Sequence, residues 1–139
     1  MNKQERNEKG FTMVELIIVV AIMGIIGALL VPAFGTMSAK ARLSTDIATV
    51  KTLKRTADSY KAEQGAFPSA TGIVTLAAEL TSKNYLDRAV EMQTGADIKI
   101  SGETIQLDTA NLKADDYSKA YMQIDSATKA GWCTGAPAK

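Results

Sequence analysis

The chain has 139 residues, no histidine and one cysteine, Cys133. It therefore lacks the usual ligands of a zinc site and the imidazole of a Ser-His or Cys-His nucleophile, which argues against an enzyme and calls for no cofactor or metal; one cysteine also excludes an intramolecular disulfide. Its 16 Lys and Arg nearly cancel 15 Asp and Glu, leaving a net charge of +1 and no basic field of the kind nucleic-acid binding uses.

Residues Met1 to Gly10 form a short leader carrying Lys3, Glu5, Arg6, Glu8 and Lys9, which accounts for the surplus charge. Phe11-Thr12-Met13-Val14-Glu15 follows, then an uncharged run from Leu16 through Gly35, and the next charge is Lys40. An α-helix needs ~20 apolar residues to cross a bilayer, so this run predicts membrane insertion at some stage. A secretory signal would carry its apolar core over ~7–15 residues and end in a small-x-small site. Ala39-Lys40-Ala41 has that form, but the run is too long for it, and removing residues 1–41 would discard most of the longest predicted helix. Glu15 is the residue to explain. A carboxylate near the bilayer core costs ~2.5–3.5 kcal/mol, so such groups tend to face a partner and mark function; the bland alternative is a glutamate at the interface, among headgroups and water. Thr12 is placed to hydrogen-bond the backbone or the carboxylate.

The segment Lys9-Gly10-Phe11-Thr12-Met13-Val14-Glu15-Leu16 resembles the class III signal of type IV pilins and their relatives, the pseudopilins of type II secretion and competence systems. The resemblance rests on Gly before Phe, Glu five residues into the mature chain, a long apolar helix and a basic leader. It implies that a membrane-embedded prepilin peptidase cuts between Gly10 and Phe11 and N-methylates the new amine of Phe11. It implies too that Thr12 and Glu15 serve assembly, Glu15 meeting the N-terminal amine of a neighbouring subunit in a homopolymeric filament raised by a pilus assembly platform. The expected location is a cell-surface filament, with an inner-membrane pool before assembly.

Within the membrane half, Gly24, Gly27, Pro32 and Gly35 weaken a helix, by about 1 kcal/mol for each Gly and about 3 for Pro. By the resemblance, the stretch from Gly24 to Pro32 loses helix in a filament and adds extensibility; alternatively Gly and Pro are simply common in membrane helices and Pro32 is a kink. Gly24 and Ala28 make a small-xxx-small pair suited to close helix approach.

Beyond the membrane run, Leu43, Ile47, Val50, Leu53, Ala57 and Tyr60 recur at steps of three and four, an apolar stripe on one helix face. Lys40, Arg42, Asp46, Lys51, Lys54, Arg55, Asp58 and Lys61 are expected largely away from it. One helix is predicted from about Phe11 to Gln64, stopped by Gly65. The composition then turns to Gly65-Ala66-Phe67-Pro68-Ser69-Ala70-Thr71-Gly72, turn chemistry. A short helix over Val74–Thr81 and a packed turn at Asn84–Asp87 are predicted next. Asp97–Ser101 and Thr104–Asp108 alternate apolar with polar around Gly102-Glu103, a two-residue hairpin. Ala120–Asp125 is expected as a third strand, with Ile98, Ile100, Ile105, Leu107, Met122 and Ile124 facing the stripe, and Thr134–Lys139 as a loose tail. Cys133 is expected as a packed or partly exposed thiol near Trp132. Asp108, Asp115, Asp116 and Asp125 lack the dense spacing of a calcium loop and read as solvated surface.

The fold expected is α+β, the type IV pilin fold: a long N-terminal helix, membrane half plus amphipathic half, packed on a small antiparallel sheet of about three strands. The chain divides into a removed leader (1–10), a membrane or filament-core half of the helix (11–35), its amphipathic half (36–64) and a small head (65–139). A head of this size has a thin core of its own and depends on the helix. The function implied is a structural subunit of a type IV pilus. The alternatives are a pseudopilin of a type II secretion or competence system and, remotely, an uncut bitopic membrane protein with a binding head. The chain has neither an Asp-Pro-Trp-Gly stretch nor the calcium-site pattern of the major secretion pseudopilins, which favours the pilin.

Overall fold

The computed structural model describes residues 10–112 and 115–137. The leader residues 1–9 and the end of the tail, 138–139, lie outside that range, as do the side chains of Pro32, Ala33 and Asp116. The chain forms two units, one up to Phe34 and one from Gly35 onward. Helix α1 (Met13–Gln64) contributes to both.

In the first unit α1 is apolar on every side: Leu16, Ile17, Ile18, Val20, Ile26 and Leu29 are all more than half exposed. Its most apolar stretch has a mean hydropathy of 2.9 and is 0% buried, long and apolar enough to cross a membrane. A helix apolar all round needs a non-aqueous environment, since no single face can be turned inward to remove the rest from water. Gly24, Gly27, Pro32 and Gly35 all lie within α1.

In the second unit the predicted stripe becomes the core. Leu43, Val50, Leu53 and Ala57 are at most 1% exposed and Ile47 5%, and the buried face reaches back to Ala39. Each fully buried Leu or Val contributes about 2 kcal/mol, so α1 supplies a large share of the head's stability. α1 stops where Gly65 takes φ +78°, its N–H bonding to the Lys61 carbonyl at 2.8 Å, a left-handed position that glycine occupies without a Cβ penalty.

Helix α2 (Ile73–Ser82) buries Ile73, Leu76, Ala77 and Leu80 against this core. It ends in a Schellman motif: Asn84 adopts φ +61°, its N–H bonds to the Thr81 carbonyl, and the Tyr85 N–H reaches the Leu80 carbonyl. Tyr85 then meets Tyr60 edge to face at 5.3 Å between centroids, while the Tyr60 hydroxyl donates to Glu79 and the Tyr85 hydroxyl to Glu63. Burial and the bond to Glu79 raise the Tyr60 pKa, and chiefly the bond to Glu63 raises that of Tyr85. Both phenols hold their protons more firmly in the fold than in the unfolded chain. Their stabilisation is therefore complete below about pH 10, the unfolded value, and is lost as pH rises through the folded values. Unfolding followed by the fluorescence of Trp132 should show alkaline loss of stability above pH 10, blunted in a Tyr60→Phe/Tyr85→Phe variant; equal loss in both proteins would contradict this assignment.

Strands β1 (Asp97–Ser101) and β2 (Thr104–Asp108) form the expected antiparallel hairpin, with Ser101 opposite Thr104 across a two-residue turn. Gly102 has φ +60°, as a primed hairpin turn requires. Ile98 faces Leu107 and Ile100 faces Ile105, and Ile98, Ile105 and Leu107 are buried in the core.

The third strand is elsewhere than expected. Residues Ala120–Asp125 do not extend the sheet: Ala120, Tyr121 and Met122 close helix α3 (Asp115–Met122), Gln123 and Ile124 turn, and Asp125 caps helix α4 (Ser126–Trp132). The apparent alternation there also fits a helix, because Tyr117, Ala120, Tyr121 and Ile124 recur at three- and four-residue steps. Met122 consequently points away from the core, 71% exposed, whereas Ile124 still packs against it. Strand β3 is Cys133–Thr134, and it joins β2 in parallel, Leu107 beside Cys133 and Asp108 beside Thr134. The sheet is thus three-stranded and mixed, in the order β1-β2-β3, and the start of the supposed loose tail is one of its strands. Thr109, fully buried, fastens it: its N–H and hydroxyl both donate to the Thr134 carbonyl, and the hydroxyl also reaches that of Gly135 at 2.7 Å. Cys133 is a buried free thiol, its pKa pushed up by burial.

Candidate functional site

The site lies at the start of α1. Thr12 occupies the N-cap position, its carbonyl accepting the first helical bond from the Leu16 N–H at 3.2 Å. Its Oγ1 accepts from the Glu15 N–H at 3.2 Å, and the Glu15 carboxylate reaches back to accept from the Thr12 N–H at 2.8 Å and the Thr12 hydroxyl at 2.9 Å. This is a capping box, in which N-cap and third helical residue satisfy each other's donors. An acidic group in the first turn also faces the positive end of the helix dipole. Sequence reasoning placed Thr12 and Glu15 near one another; the reciprocal geometry is the addition.

All the side-chain bonds to the carboxylate fall on Oε2. Among the described residues none reaches Oε1, which is left for a donor from outside the chain. Gly10 and Phe11 precede the helix, and Phe11 is 88% exposed. The arrangement holds one carboxylate by two hydrogen bonds beside an exposed junction. It can accept a cation.

Three further polar anchors were missed in the sequence. Asp46, expected on the solvated face, is fully buried. Its carboxylate accepts the Gln93 N–H at 2.7 Å, the Thr94 N–H at 2.9 Å and the Thr94 hydroxyl, so α1 holds the loop that leads into β1. Its position could have been found, since it lies three residues past Leu43 and four before Val50, in phase with the stripe. Asp97 caps α2 from a distance, accepting the Ile73 N–H at 2.9 Å in place of the side chain Gly72 lacks. Asp125, read as surface, caps α4 by accepting the Thr128 N–H at 2.7 Å, a bond that holds its pKa below the ordinary value.

Fold and site together define a class: a chain with a membrane-length apolar helix, a capped acidic residue at its start, and a small α+β head built on the helix's second half. Residues 6–31 match the family model described as the prokaryotic N-terminal methylation motif. The chain is 29% identical to a fimbrial protein of Neisseria meningitidis serogroup A over 95% of its own length and 75% of the relative's. It is also 29% identical to a type IV major pilin protein of Neisseria gonorrhoeae over 72% of its length and 67% of the relative's. With the type II secretion system core protein G of Pseudomonas aeruginosa it shares 35% identity over 48% of its length and 46% of the relative's. No solved structure matches the chain. The methylation motif and these relatives support a place for the chain among type IV pilins and their relatives.

Proposed function

We infer that the chain is a structural subunit of a type IV pilus. A prepilin peptidase removes the leader after Gly10 and methylates the amine of Phe11, and the mature chain waits in the membrane through α1. An assembly platform then draws it into a helical polymer whose apolar helices leave lipid for one another. The observation that carries this reading is the Thr12–Glu15 box opening an uncharged helix. Its carboxylate keeps one oxygen for the Phe11 amine of a neighbouring subunit, and that pairing offsets the desolvation of both charges. Gly24, Gly27, Pro32 and Gly35 give the filament core its local give.

A second reading, the pseudopilin of a secretion system, is favoured by the similarity to the secretion protein G, confined to about half of each chain. Intact mass and N-terminal sequencing of the chain from sheared filaments and from membranes separate the two. N-methylated Phe11 in the sheared fraction fits a pilus subunit, the same species confined to membranes fits a pseudopilin, and a start at Met1 or Arg42 rules out both. Gly10→Val should leave the leader attached to nearly all of the chain; a normally trimmed product would show the junction to be misassigned.

A further inference from the structure

Beyond Met37, the only large apolar side chains exposed among the described residues are Val74, at 78%, and Met122, at 71%. They differ in setting. Val74 lines an apolar groove of about 520 Å³ formed by α2 and the segment that follows it, together with Ala77, Ala78, Thr81, Val90 and Glu91. Met122 is a protrusion at the end of α3, beside Lys119 of the same last turn and Lys129, whose Nζ donates to the Met122 carbonyl at 3.2 Å.

The two lie on different flanks of α1. The turn after Met122, Gln123 to Asp125, lines a cleft with Lys40, Ser44 and Lys51, whereas Val90 lines one with Thr45, Thr49 and Thr52. At 100° per residue these two sets of α1 positions are about a third of a turn apart, so within one molecule the protrusion does not serve the groove. A protrusion and a matching hollow on different faces of one subunit make a heterologous contact, which propagates into an open helical polymer when its rotation does not close.

Resting on the reading of the chain as a filament subunit, we propose that the groove between α2 and Val90 receives Met122 of the next copy of this chain. The fit is chemical on two counts. The groove is apolar and roomy, and methionine is the flexible side chain that fills irregular hollows. Glu91 is among its lining residues and exposed, while Lys119 and Lys129 flank Met122, so the charges that meet are opposite.

The test is disulfide trapping in filaments of the full-length chain made in its own cell. Val74→Cys with Met122→Cys in one chain should, on oxidation of sheared filaments, give a ladder of dimers, trimers and longer species on a non-reducing gel. Each single variant alone should stay monomeric, and the two singly substituted chains made together should stop at dimers. Only monomer from filaments whose new thiols are both reactive would overturn the contact while leaving the pilus reading intact, and dimers from Met122→Cys alone would overturn it in favour of a symmetric one. Absence of the wild-type chain from sheared filaments would remove the pilus reading and this contact together. As a second measure, Glu91→Lys should lower filament yield about tenfold through like-charge juxtaposition, and Lys119→Glu in the same chain should restore it; no restoration would count against the proposal.

Discussion

Glu15→Ala should leave removal of the leader largely intact and lower incorporation into filaments at least tenfold, about the effect of losing one charge-assisted pair worth 1.4 kcal/mol or more in a low-dielectric site. The capping box adds a control that separates charge from helix geometry. Glu15→Gln keeps an amide oxygen able to accept the Thr12 N–H, since Gln also closes a capping box, but it carries no charge for a neighbour's amine. It should therefore assemble nearly as poorly as the alanine variant. Thr12→Ala removes the cap, costing about 1 kcal/mol, and leaves the carboxylate charged; its defect should be milder than either. Filament yield by shearing and mass measurement, with leader removal read from the same samples, checks all three. Normal yield from Glu15→Ala would sink the pairing, and normal yield from Glu15→Gln alone would reassign Glu15 to capping.

The second large effect belongs to the head. Asp46→Ala should destabilise it by about 3 kcal/mol, because the N–H groups of Gln93 and Thr94 and the Thr94 hydroxyl lose a charged acceptor that is itself fully buried. Asp46→Asn keeps one acceptor oxygen and should cost less. Asp58→Ala, which removes only an exposed pair with Lys54, should change stability by less than about 0.5 kcal/mol. Urea unfolding of the full-length chain in detergent, followed by Trp132 fluorescence, reads all three. An Asp46→Ala protein as stable as the wild type would mean that the loop into β1 holds itself.

What could be read in the sequence was what local pattern decides. The stripe from Leu43 to Tyr60 predicted the buried face of α1, and a two-residue Gly turn between alternating strands predicted the hairpin and its register. The capping partners Thr12 and Glu15 are three residues apart, so the site too was accessible to a local reading. The misses share the opposite property. β3 is two residues long, too short to carry a period, and exists because Thr109 and β2, some two dozen residues away, supply its partners. Ala120–Asp125 fitted strand and helix periods alike, and a capping aspartate at Asp125 with the helix behind it settled the matter. Asp46 was misplaced because charge was taken to outrank phase; its partners are backbone groups far along the chain that composition does not reveal.

The closing of the sheet by β3 sets an order of events for folding. α1, α2 and the hairpin are all complete by Asp108, yet the edge of β2 stays unpaired until Cys133 and Thr134 arrive, and Thr109 finds its acceptors only at Thr134 and Gly135. A chain made N-terminus first thus completes this part of its core only when the carbonyls of Thr134 and Gly135 arrive. Such non-local pairing incurs loop-closure entropy before any contact repays it. With no disulfide to hold the closure, it can reopen from the C-terminus. A chain cut before Cys133 should therefore fail to fold its whole head, and a tag fused close behind Gly135 should slow its completion.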